Sequence, residues 1–286
     1  MSKPAIRLGL IGDNITRSQS PRLHELAGRL CGLDVTYERL IPAAMGEPFE
    51  AVFAHCRAEG FRGINVTYPY KEAVTDLLTV PDSAIAAIGA CNTVLFEPGG
   101  PTGHNTDYTG FMSAFRGAFG DATPGSVAMA GAGGVGKAVA YGLAGLGCDR
   151  LSIFDTAPER VEPLVAALSQ LGTAMTVTVA TSIDEAVSGT DGLVNCTPLG
   201  MVGYPGSAIP RALVKGRRWA FDAVYTPVET EFVLDCRAAS LTVISGYELF
   251  FHQGVDAFRL FTGEAIDQAA LRRALASPEE PGRISA

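Results

Sequence analysis

Six cysteines are spread through 286 residues with no CxxC pair and no histidine at zinc-ligand spacing, which excludes a recognisable zinc module or disulfide framework. Cys31, Cys56, Cys91, Cys148, Cys196 and Cys236 read instead as reduced, mostly buried small hydrophobes of a cytoplasmic protein, and no metal is expected. No apolar run reaches the roughly 20 residues of a membrane helix. The amino terminus passes from Met1 through Lys3 directly into a strand-like run, without a basic-then-apolar leader. Positive charge is scarce: 22 Lys and Arg face 30 Asp and Glu, a net charge of −8. That balance argues against nonspecific nucleic-acid binding, which needs a cationic surface. It leaves a small anionic substrate open, because a few local donors outweigh a diffuse negative surface. Internal repeats and low-complexity tracts are also absent, and only the last residues, 277–286, read as a solvated tail.

What is present is core material: 47% of residues are hydrophobic and 18% charged. The length suits two domains of about 100–150 residues each. Strand and helix signals alternate over the first hundred residues. Strands are expected at 6–11, 36–40 and 61–66, with helices at about 22–30 and 47–59. Such alternation predicts βαβ units, a largely parallel sheet and an α/β fold. A connecting helix over 108–119 leads to turn material at 121–125, where the chain restarts. Strands follow at 126–130, 151–154, 176–180, 192–195 and 219–223, and two helices at 248–262 and 267–276. We expect a first domain over 1–106, completed by 246–286, and a second over 107–245.

The strand at 126–130 runs straight into Gly131-Ala132-Gly133-Gly134-Val135-Gly136, a helix opens there, and Asp155 ends the next strand. GxGxxG alone is a weak signal in a chain with 33 glycines, but this context is the one a dinucleotide needs. The first glycine permits the turn, the second lets backbone approach the pyrophosphate, and the third lets helix and strand pack closely. The helix N-terminus then supplies free N–H groups and positive dipole. Asp155 is expected to accept hydrogen bonds from the adenosine ribose, which favours NAD; Arg160, just beyond it, is the residue that would serve NADP. The plainer alternative is a tight strand–helix junction and nothing more.

Four polar clusters lie outside this segment. Ser18 and Ser20 carry hydroxyls two residues apart and suit a carboxylate, although a helix N-cap explains a serine equally. Residues 65–71 (NVTYPYK) end a strand and present Lys71, a type usually found as a solvated surface charge. Cys91-Asn92-Thr93 and His104-Asn105-Thr106-Asp107 are compatible with ordinary turn chemistry. Spacing alone assigns no mechanism.

Taken together, SQSP at 18–21, NVTYPYK, GACNTV at 89–94, NTDYTG at 105–110, GAGGVG, NCTPLGM at 195–201, FDAVYTP at 221–227 and HQG at 252–254 resemble the shikimate/quinate dehydrogenase family, in order and over nearly the whole chain. The resemblance implies an amino-terminal substrate domain, a Rossmann-like cofactor domain and a cleft between them. It implies that Ser18 and Ser20 bind the substrate carboxylate. Thr67, Asn92, Asp107 and Gln253 would contact ring hydroxyls, Tyr225 would lie near the substrate, and Thr197, Ala223 and Gly246 would join the cofactor site. Lys71 and Asp107 would be the catalytic pair of an NAD-dependent, reversible oxidation of a small cyclic hydroxy-carboxylate, with NADP as the alternative cofactor.

That chemistry is sensible from below. Hydride leaves a secondary alcohol carbon only as its hydroxyl proton departs, so a base must touch that oxygen. Two departures pull against each other. NADP-using members commonly place a basic turn where this chain has Phe154-Asp155-Thr156, whereas quinate-using members often carry threonine where it keeps Ser20. Shikimate is therefore the expected substrate, with quinate or an amino analogue the rival. A non-catalytic dinucleotide-binding regulator is the rival of another class. His24, His104 and His252 are expected to be scaffold hydrogen-bonders, and both a monomer and a homodimer suit the family.

Overall fold

The computed structural model describes residues 5–277. The chain runs β1 (Ile6–Ile11), α1 (Ser20–Leu30), β2 (Val35–Leu40), α2 (Pro42–Met45), α3 (Phe49–Ala58), β3 (Gly63–Val66), α4 (Ser83–Ile88), β4 (Thr93–Glu97), β5 (Gly100–His104) and α5 (Thr106–Phe119). It continues through β6 (Ser126–Ala130), α6 (Gly134–Gly145), β7 (Arg150–Phe154), α7 (Pro158–Ser169), β8 (Thr176–Val179), α8 (Ile183–Val187) and β9 (Gly192–Asn195). Last come β10 (Trp219–Asp222), α9 (Glu231–Ala238), β11 (Thr242–Ile244), α10 (Gly246–Thr262) and α11 (Gln268–Ala276). Two compact units emerge: Met1–Val80, Cys91–His104 and Gly254–Ala286 form the first, Pro81–Ala90 and Asn105–Gln253 the second. No helix among the described residues is long and apolar enough to cross a membrane.

The first unit holds a sheet of order β2-β1-β3-β4-β5. β1 pairs in parallel with β2 and β3, but β3–β4 and β4–β5 are antiparallel, so this sheet is mixed rather than largely parallel. The β4–β5 hairpin is absent from the expected strands, and of Cys91–Thr93 only Thr93 enters it. Its strands hide behind a Pro- and Gly-rich stretch, and Pro101 is tolerated because β5 is an edge strand whose far side meets an isolated bridge at Thr79, which uses the Pro101 carbonyl and the Gly103 N–H rather than a donor on residue 101. Buried Leu8, Ile11, Leu23, Ile64, Phe258 and Phe261 form much of the interior.

His24 belongs to that interior. It is 1% exposed and stacks on Tyr37 with ring centroids 4.8 Å apart. Phe258 and Phe261 flank it, and Nδ1 meets no hydrogen-bond partner. Burial pushes its pKa from 6.5 down to about 3, against an opposing hydrogen bond from Asn65. The folded chain holds a neutral imidazole while the unfolded chain takes up a proton, so this stability is complete above pH 6.5 and is lost as pH falls towards 3. Between pH 6.5 and 5 the loss from this one group should be about 2 kcal/mol, at about 1.4 kcal/mol per unit. Urea unfolding at pH 7 and pH 5 checks it: His24→Phe should show a shallower decline than the unmodified chain, and equal declines would refute it.

The second unit is a parallel six-stranded sheet of order β11-β10-β9-β6-β7-β8. Counted from β6, that is the 3-2-1-4-5-6 order of a doubly wound dinucleotide fold. Strand alternation sends Val127, Met129, Val194, Trp219 and Phe221 into one face with Phe111, Phe115 and Leu143. Ala128, Ala130, Leu193 and Ala220 enter the other with Phe232 and Cys236. Helices therefore cover both faces, as an all-parallel sheet requires. Trp219 closes the first of these cores, its Nε1 donating to the Pro124 carbonyl at 3.0 Å.

The division departs from the expected boundaries in two places. Residues 81–90 join the second unit, since Ile88 and Ala90 pack into its larger core and the Tyr141 hydroxyl donates to the Ala87 carbonyl at 2.9 Å. The carboxyl-terminal return begins at Gly254, inside α10, rather than at residue 246. The expected tail lies, beyond Ser277, outside the described residues.

Candidate active site

Gly131 follows β6 with φ +97°, and a Cβ there would stand 2.8 Å from the Cys196 carbonyl. A Cβ on Gly136 would stand 2.2 Å from the Gly131 carbonyl. These two glycines are therefore required by the protein's own packing. Gly133 is different: a Cβ there meets nothing within 4 Å. Its bareness answers to no neighbour within the chain and leaves backbone open to a group from outside. Gly133 is the N-cap of α6 and makes no side-chain capping bond, which suits an anion at the helix N-terminus. Ala132 is fully buried and Val135 packs on the core, while Gly134 opens the helix.

Asp155 directly follows β7 and is tied to this loop. One carboxylate oxygen accepts the Ala132 N–H at 2.8 Å and the other the Ala157 N–H at 2.9 Å. Fixed this way, a partly exposed anion sits at the place where a dinucleotide fold reads its ribose. The residues fit a nicotinamide dinucleotide with an unphosphorylated ribose. Arg160 lies on the exposed side of α7.

The carboxyl ends of β9 and β10 carry a buried network that sequence reading missed. Asn195 accepts the N–H of Thr197 at 3.0 Å and its hydroxyl at 2.7 Å, and donates to Asp222 at 3.0 Å. Asp222 is fully buried and also accepts from the Val224 N–H at 3.0 Å and the Thr230 hydroxyl at 2.5 Å. Burial pushes its pKa up against the pull of those hydrogen bonds. One carboxylate thus fixes the segment of Thr197 and the segment of Ala223 and Tyr225. Gly246 abuts that segment, for a Cβ there would lie 2.8 Å from the Ala223 carbonyl. The available signal was polar residues ending apolar strands.

Three further predicted residues belong to this unit. Asp107 is buried in the first turn of α5, which Asn105 caps by accepting the Tyr108 N–H at 3.1 Å. Gln253 meets the same helix: its Oε1 accepts from the Thr106 hydroxyl at 3.4 Å, and Gly110 leaves room for its backbone. Tyr225 stacks on Phe250 at 5.0 Å.

In the first unit the predicted residues gather along one sheet edge. Gly12–Ser20 follows β1, Thr67–Lys71 follows β3, and Asn92 precedes β4, whose antiparallel direction starts it at that same edge. Backbone bonds lock these segments together: Thr67 to Ile11 at 2.9 Å, Cys91 to Lys71 at 2.8 Å, and Asn92 to His104 at 3.1 Å. Ser18 is buried and its hydroxyl donates to that of Ser20 at 3.1 Å, so the pair does converge. The N-cap of α1 is Gln19, not a serine, and no side chain caps it. Lys71 is partly buried rather than a solvated surface charge. Asn92 is held by a buried relay: Tyr37 donates to Asn65, Asn65 to the Asn92 carbonyl and to Thr93, and Thr93 to the Asn92 side chain at 3.0 Å. His24 stacks on Tyr37, at the head of that relay.

Residues 10–94 match the sequence model of a family described as shikimate dehydrogenase substrate binding domain. A quinate/shikimate dehydrogenase (NAD(+)) of Corynebacterium efficiens is 40% identical over 278 residues, spanning 95% of this chain and 98% of its own. A shikimate dehydrogenase (NADP(+)) of an Arthrobacter species is 37% identical, spanning 93% and 92%. Among solved structures, quinate dehydrogenase from Corynebacterium glutamicum in complex with NAD matches with a TM-score of 0.86 at 36% identity, covering 95% of this chain and 98% of that one.

Proposed function

This chain belongs to the quinate/shikimate dehydrogenase family of nicotinamide-dependent oxidoreductases, and from that membership we propose that it oxidises a ring hydroxyl of shikimate, reversibly, with NAD preferred over NADP. The observation that carries the cofactor preference is Asp155, anchored by Ala132 and Ala157 beside the glycine loop, where its charge repels a ribose phosphate. Gly131 through Gly136, with Thr197, Ala223 and Gly246, would hold the dinucleotide, whose nicotinamide supplies hydride acceptance. Membership in a family of enzymes removes the reason for a non-catalytic regulator.

The chain's own residues do the rest. Ser18 and Ser20 receive the carboxylate, and Thr67, Asn92, Gln253 and Tyr225 orient the ring. Lys71 Nζ takes the hydroxyl proton as hydride leaves the carbon, and returns it in reduction. The Asp107 carboxylate offsets the resulting positive charge. Quinate is the second reading, supported by the quinate-named relative and structure. We further infer a cytoplasmic monomer or homodimer without a nucleic-acid partner, consistent with six scattered cysteines and a net charge of −8.

Initial rates with shikimate and quinate, each against NAD and NADP, test this reading. Fast NAD reduction with shikimate is expected. Comparable efficiency with both cofactors would overturn the preference, and failure on both acids would overturn the substrate.

A further inference from the structure

We propose that Arg39 is a positioning residue for the substrate carboxylate, supplying the positive charge that the paired hydroxyls of Ser18 and Ser20 lack. The inference rests on the functional reading above and extends it to a residue outside every motif that carries the family resemblance.

Arg39 is the last residue but one of β2 and is in register with Leu10 of β1, so it stands at the sheet edge where the Ser18 loop begins. Its Nη2 donates to the Ser18 carbonyl at 2.8 Å. The guanidinium is therefore held against the residue whose hydroxyl pairs with Ser20. A guanidinium has five N–H donors, and one carbonyl engages only part of that fork. The charge matters because two hydroxyls offer a carboxylate only neutral hydrogen bonds, whereas charge-assisted ones are about twice as strong. It also matters because the chain carries a net charge of −8, which opposes an approaching acid unless a local cation reverses the field.

Neighbouring acids leave that role open. Glu38, next in β2, points to the other face of the strand and is paired with Arg7 at 3.0 Å. Glu25 of α1 does lie in electrostatic range of Arg39, but it shares its charge with Arg29. The simpler alternative is a surface arginine that staples a loop and has no dealings with the substrate.

The test compares the full-length enzyme with Arg39→Gln and Arg39→Lys on shikimate and on its methyl ester, at low and high salt. Glutamine keeps a donor for the Ser18 carbonyl and removes the charge. We expect Arg39→Gln to raise KM for the acid about tenfold, the loss of about one charge-assisted bond. It should leave KM for the ester and kcat near the unmodified values and weaken the salt dependence seen with the acid. Arg39→Lys should recover much of the acid KM. Equal rises for acid and ester, or none, would reduce Arg39 to a staple. If Arg39→Gln fails to fold, a salt-insensitive KM for the acid in the unmodified enzyme overturns the proposal. If the unmodified enzyme ignores shikimate, the functional reading has failed instead. The same comparison then runs on whichever cyclic acid it does oxidise, and absence of any acid substrate overturns both.

Discussion

Lys71→Ala is expected to lower kcat at least about 100-fold, the lower end of what a positioned acid–base group contributes. KM for the acid should change far less, because the carboxylate contacts assigned to Ser18 and Ser20 lie elsewhere on the sheet edge. The result is interpretable because the loop has backbone and ring anchors besides the lysine side chain. Its backbone is pinned by Cys91 donating to the Lys71 carbonyl and by Asp13 donating to the Tyr68 carbonyl at 3.2 Å. The Tyr70 ring stacks on Phe49 at 4.6 Å, and its hydroxyl donates to Asp13 at 2.7 Å. With the segment anchored in these ways, the proposed role of the lysine as proton acceptor is what the substitution tests. Steady-state rates across pH check both halves of the claim. A variant turning over within a few-fold of the unmodified enzyme would remove Lys71 from the chemistry, and a rise confined to KM would make it a binding residue.

Asp155→Ala should move the ratio of NAD to NADP efficiency by about 100-fold or more. The estimate combines two effects. Loss of an ionised acceptor is worth about 1.5–3 kcal/mol, or about 10–100-fold in kcat/KM for NAD. Removing a fixed negative charge also lifts repulsion from the extra phosphate of NADP, so that efficiency should rise. Asp155 further anchors Ala132, so part of the NAD loss comes from a freer glycine loop. Adding Arg160→Ala separates the contributions: if the exposed Arg160 reaches the phosphate, the double variant forfeits the gain with NADP and keeps the loss with NAD. An unchanged cofactor ratio in Asp155→Ala would remove this residue from cofactor choice.

The second unit was the more legible half. Its strands at 126–130 and 192–195 were read with the bounds the structure has, because short apolar runs end there in a glycine loop and in Asn195. The crossover helices α7, α8 and α9 were not read. Each is short or interrupted, with Pro158 and Pro163 in α7 and only five residues in α8, and each forms because two parallel strands must be joined. The β4–β5 hairpin escaped for the opposite reason, its Gly and Pro content masking strands that exist through pairing alone. In the site, the glycine loop, Asp155 and the serine pair are local signals. Asn65, Asp222 and Arg39 are not: each acts through partners 21 to 28 residues away, and such distances become contacts only after folding.

The split of α10 at Gln253 and Gly254 also sets an order of events on the ribosome. Residues 5–80 of the first unit are made before the second unit, yet that first unit waits for residues 254–277, the last described segment to be made. By then every residue of the second unit has emerged, and a nascent chain folds its units as they become complete. The half made first is closed last. Until Phe258 and Phe261 arrive, one wall is missing around the His24 ring, which remains wet and free to take up a proton. Acidity therefore bears hardest on the newborn protein, at the step where its carboxyl-terminal helices come home.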